Sequence, residues 1–115
     1  MTLPELRIAA LQEAGILAAA ESPSAEDDVL VTAKYAALYD MLLSEGLVAW
    51  AASDDLPDYA SVPLTMMLAA VIAPAFGIEG QKLADLRQGY AAAERMLRRQ
   101  LAKHYVSHPV RSEYF

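Results

Sequence analysis

The sequence predicts an all-α protein: a small bundle of about four helices, with a long C-terminal helix and a short extended C-terminal tail. Three observations lead there. The composition is 56% hydrophobic but only 8% aromatic, so the surplus is aliphatic and rich in alanine, the best helix former. Apolar residues recur three and four apart through the long segments. Helix-starting and helix-stopping residues bracket those segments. At 115 residues the chain is long enough for one domain with a modest core. So much apolar surface in so short a chain is more than one core can hide, which predicts a face for a partner.

The first helix is expected from Leu3 to about Ala14. Thr2-Leu3-Pro4-Glu5 has the form of a capping box, with proline in the first turn where its missing N–H costs nothing. Leu3, Leu6, Ala10 and Ala14 share a face that Ile8 and Leu11 widen, and Gly15 supplies the stop. Ile16 to Ala20 is an apolar connector broken by Glu21-Ser22-Pro23. A second helix begins at Ser24, with Glu26, Asp27 and Asp28 where the helix dipole is positive. Val31, Tyr35, Leu38, Leu42 and Leu43 follow the helical period, with Tyr39 and Met41 alongside, and Gly46 ends the run. Residues 47–52, which hold the only tryptophan, fit a helical turn, a short strand or a loop. Ser53 to Asp58 is a strong turn.

From Tyr59 to Ile78 no residue is charged, a length that approaches a membrane span. Pro63 and Pro74 interrupt it, Gly77 closes it, and its acidic flank is Asp54, Asp55 and Asp58. A central helix buried on all sides is the better account, with Met66, Met67, Leu68, Val71, Ile72 and Phe76 in the core. The last helix is expected from about Glu79 to Tyr105, with Leu83, Leu86, Tyr90, Leu97, Leu101 and Tyr105 on one stripe. At about 1.5 Å per residue it would reach ~40 Å, more than a globule of this size needs, so part of it should project. Pro109 stops it, dividing the chain into a helical domain, 1–108, and a tail, 109–115.

Charge is uneven. Residues 1–60 carry 2 basic and 11 acidic side chains, and residues 61–115 carry 7 basic and 4 acidic ones. Acidic half against basic half favours ordered contacts between copies, in which Arg95, Arg98 and Arg99 are the candidate inter-subunit residues. The other reading makes both halves solvated helix faces. A net charge of −6 argues against a general nucleic-acid binder.

Chemistry-bearing patterns are sparse. No cysteine is present, which removes disulfides, thiolate zinc sites and cysteine nucleophiles. Phosphate loops, dinucleotide fingerprints, nucleophile elbows and zinc-protease motifs are missing. His104 and His108 have the spacing of two ligands on a helix face, but Pro109 disfavours helix at His108 and no glutamate lies between them. The acidic triplet Glu26-Asp27-Asp28 lacks further ligands at suitable spacing. No enzyme, metal site or cofactor is expected. The N-terminus lacks the basic and long apolar regions of a signal peptide, so synthesis in the cytoplasm is the default.

Several stretches in order resemble one family. These are Arg7 to Gly15 (RIAALQEAG), Tyr39 to Trp50 (YDMLLSEGLVAW), Asp54 to Asp58 (DDLPD) and Pro63 to Gly77 (PLTMMLAAVIAPAFG), then a final helix bearing Tyr90. Together they are similar to the head-to-tail adaptors, or tail accessory factors, of P22-like tailed bacteriophages. The resemblance implies a helical virion protein that assembles as a dodecameric ring beneath the portal protein. Such a ring lies in the neck between head and tail and meets nozzle or stopper proteins below. DNA would pass through its channel without sequence-specific binding, and no membrane is involved. Family members grip the portal with a C-terminal extension, which here falls on Val110, Arg111, Tyr114 and Phe115 in a tail much shorter than that of the best-known member. The alternative function is a small cytoplasmic helical module that binds one regulatory partner. A single-span membrane protein is a third reading.

Overall fold

The computed structural model describes the backbone of residues 1–107 and the side chains of residues 1–103. Four α-helices follow one another: α1 (Leu3–Glu13), α2 (Ala25–Ser44), α3 (Ser61–Ile72) and α4 (Gly80–Ser107). Short 3₁₀ turns, Asp58–Ala60 and Ala73–Phe76, flank α3, and the described residues contain no strand. The all-α bundle with a long last helix is thus the observed architecture.

Local chemistry sets the helix ends. The Glu5 amide donates to the Thr2 hydroxyl at 3.2 Å, and the Thr2 amide donates to the Glu5 carboxylate at 2.8 Å. The box therefore forms as the sequence predicts, and its hydrogen bonds hold the Glu5 carboxyl below its ordinary pKa. Ser24 caps α2 by accepting from the Asp27 amide at 3.1 Å. At the other end of α1, Gly15 takes φ of +79°, a left-handed conformation that L side chains rarely adopt. Its amide bonds the Gln12 carbonyl at 3.0 Å and the Ile16 amide bonds Leu11 at 2.9 Å, which is a Schellman closure. The same pair of bonds closes α2 at Gly46, where the next residue, Leu47, is buried.

The uncharged window is not one helix. Pro63 sits in the first turn of α3, where its lacking N–H is harmless, but Pro74 would clash with the carbonyl four residues back. The α-helix accordingly stops at Ile72 and the chain continues as a 3₁₀ turn to Gly77. Nor is the window buried all round. Leu64, Met67, Leu68 and Ile72 are fully buried, whereas Met66, Val71 and Phe76 are half-buried and Val62 is exposed. Three other helices cannot surround a fourth in so small a chain, so α3 keeps one open side.

α3 packs most extensively on α4, next on α1 and then on α2. Leu6, Ala10 and Leu11 of α1, Val31, Leu38 and Leu42 of α2, and Ala93 and Leu97 of α4 converge on it. A second cluster joins Ala14, Ala69, Ala70, Ala73 and Leu86, where small side chains let α1, α3 and α4 approach closely. Leu43, placed on the core stripe by periodicity, points outward. Residues 47–52 form a loop. The molecule measures 55 × 29 × 24 Å, and its radius of gyration of 15.6 Å exceeds the ~13 Å of a compact domain this long. Among the described side chains of α4, Leu101 is the last packed on the core, and the helix runs on to Ser107.

Leu68→Ala leaves a cavity at the convergence point and should cost ~2–5 kcal/mol in urea denaturation. Leu43→Ala, on an exposed face, should stay within about 0.5 kcal/mol. Equal losses would contradict the assignment of faces.

Candidate interaction surface

The 47–57 loop is held by aromatic side chains. The Tyr39 hydroxyl donates to the Trp50 carbonyl, and the Trp50 indole N–H reaches the Tyr35 hydroxyl at 3.3 Å. Trp50 also meets Tyr59 edge-on at 6.5 Å between ring centroids. Burial raises the Tyr35 phenol above its ordinary 10.0, and the bond from Trp50 only partly opposes that. Sequence reading placed Tyr35 and Tyr39 on α2 but had no means to pair them with Trp50, because the pairing depends on how the loop folds back.

The charged groups sort by helix. Arg7 holds Asp28 at 2.8 Å, so one member of the acidic triplet ties α1 to α2. The described residues hold no cluster of three or more potential metal ligands. The side chains of His104 and His108 lie outside the described residues. Among the candidate inter-subunit arginines, Arg98 is engaged within the chain: its guanidinium meets Glu94 at 2.8 Å and Glu45 at 3.4 Å. The hydrogen bond to Glu94, chiefly, raises its pKa further. Glu45 is the cap residue of α2, so this contact links the end of α2 to α4. Tyr90 lies at the same corner, its pKa raised by burial first and then by the negative potential of Glu94 and Glu45.

Arg95 and Arg99 are exposed and form no ion pair among the described residues. The structure therefore separates the three arginines into one that braces the fold and two that face outward. The portal-gripping candidates Val110, Arg111, Tyr114 and Phe115 lie outside the described residues.

Two apolar features complete the surface. Val29, Met41 and Leu43 on α2 are exposed by 70%, 41% and 53%. On another side, an open groove of about 260 Å³ is lined by Met1, Glu13, Ser61, Val62, Thr65 and Met66. By length and composition alone, Asp58–Phe76 could cross a membrane, yet half of it is buried inside the fold.

No protein-family model, curated protein or solved structure matches this chain.

Because the raised Tyr35 pKa favours the folded state only while the phenol is protonated, that stabilisation is full below pH 10.0. It is lost as pH rises through the raised folded value. Trp50 fluorescence, the only indole signal, should therefore report alkaline release of the loop. In Tyr35→Phe the release should move to higher pH, at a neutral-pH cost of about 1 kcal/mol for the lost hydrogen bond. An unchanged profile would separate the loop from Tyr35.

Proposed function

We propose that this chain is a structural subunit of a phage neck, a head-to-tail connector that assembles as a ring under the portal and extends the DNA channel toward the tail. The observation that carries the reading is the over-long α4. It runs 28 residues, ~42 Å of helix, longer than the molecule's two shorter dimensions of 29 and 24 Å, and leads along the sequence to the aromatic residues of 109–115. A helix that outreaches its own bundle is suited to presenting a peptide to another protein, and the order of motifs resembling phage adaptors agrees with it. On this reading the protein is a virion component made in the host cytoplasm, with no catalysis or cofactor, and DNA slides past without sequence-specific contact. The acidic overall charge supports that last point, since tight phosphate binding would hinder filling and ejection.

The tail would act through number. Tyr114 and Phe115 can each bury roughly 150–250 Å², worth about 4–6 kcal/mol apiece at ~25 cal/mol per Å². Ordering six residues costs on the order of 1–2 kcal/mol each, which offsets most of this. One tail then binds weakly, and a ring of tails binds strongly through effective concentration.

Deleting residues 110–115 should leave the melting temperature nearly unchanged and abolish co-purification with the portal ring of the same phage. Electron microscopy of the full chain with that portal should show an added ring. Full attachment by the truncated chain would overturn the role of the tail, and an unoccupied portal with the full chain would overturn the connector reading.

A further inference from the structure

Opposite its core stripe, α2 presents Val29, Ala33, Ala36, Asp40 and Leu43, all exposed and spaced four, three, four and three. That spacing is the seam of a helix built to pack on another helix, yet no helix among the described residues covers it. Glu26 extends the acidic character of this face toward its N-terminal end. On α4 the face opposite Ala93 and Leu97 carries Ala84, Arg87, Ala91, Arg95, Arg99 and Ala102, all exposed. Small residues between arginines allow close approach there, and Arg98 is withdrawn from it toward Glu45.

We infer that the outer face of α2 docks on the outer, arginine-bearing face of α4 in a second copy of the chain. Charge selects this occupant. Pairing α2 with another α2 would set acid against acid in either direction, because Glu26 lies near one end of this face and Asp40 near the other. Pairing α4 with α4 would oppose arginines. Only the mixed pair is complementary in sign, and the lengths agree: Glu26 to Asp40 spans ~21 Å of helix and Arg87 to Arg99 ~18 Å. Val29 and Leu43 supply the apolar burial that an ion-pair ladder alone would lack. Two different surfaces in contact make the association heterologous, so a joined pair keeps one free α2 face and one free α4 face for further copies.

The inference deepens the connector reading by naming the surfaces that join neighbouring subunits, but its test needs no portal. The chain has no cysteine, so disulfide trapping is clean. Ala36→Cys and Ala91→Cys are conservative changes at exposed positions and should keep the wild-type far-UV spectrum. Oxidising an equimolar mixture at high protein concentration should give the mixed dimer in about fivefold excess over the two homodimers together, where random pairing would give equal amounts. Raising salt from roughly 0.05 to 0.5 M should remove most of that excess by shortening the Debye length. Asp40→Lys placed in the Ala36→Cys chain should remove it too, and Arg95→Glu in the Ala91→Cys chain should restore it. A statistical mixture of dimers, no dimer, or an excess indifferent to salt would overturn the docking surface. Mixed-dimer trapping without portal attachment would uphold it and reject the connector reading, whereas portal rings built without the mixed cross-link would do the reverse.

Discussion

Everything in this fold hangs on the burial of α3. Among the described residues it packs on each of the other three helices, and it carries no charged residue. With Leu64, Met67, Leu68 and Ile72 withdrawn completely from water, α3 gives α1, α2 and α4 a common surface to bury against. The other helices are amphipathic because they need only one apolar side. α3 has apolar residues nearly all round because neighbours approach it from several directions. The same property gives the segment the length and hydropathy of a membrane span, which shows how closely a half-buried core helix and a spanning helix agree in composition alone.

Helix ends were legible because they are local. Thr2 and Glu5, Ser24, Gly15 and Gly46 all act through hydrogen bonds within a few residues, so their roles can be read from spacing. The errors arose where distant residues decide. Leu43 fits the α2 period, but nothing in the sequence says that no helix will lie over it. The window from Tyr59 to Ile78 reads as one buried helix until the number of available neighbours is counted and Pro74 is allowed its clash with the preceding turn. The loop at 47–52 was ambiguous because its conformation is set by Tyr35 and Tyr39. In the candidate surface, the basic character of α4 was visible from composition. The division of labour between Arg98 and its two neighbours was not, since it depends on Glu45, fifty-three residues away in the chain.

The charge asymmetry therefore has two layers. Part of it is internal: Arg7 with Asp28, and Arg98 with Glu94 and Glu45, join helices of one molecule. The exposed Arg98 pairs contribute little to stability, while Arg7 is largely withdrawn from solvent beside Asp28. Their effect is to fix which charges remain on the outside. What is left over is an acidic α2 and a basic α4, an arrangement better suited to meeting another molecule than to holding this one together.

The glycine closures of α1 and α2 also bear on how the chain reaches this structure. Each completes its hydrogen bonds inside a single turn and folds an apolar residue, Ile16 or Leu47, back toward its own helix. Such stops need no partner helix to form. The positions where α1 and α2 end are therefore chosen locally, on the roughly microsecond scale of helix formation, while lasting stability comes only as the helices settle onto α3. With helix boundaries fixed early, the chain has few ways to extend one helix into the next or to exchange elements with a neighbour emerging beside it.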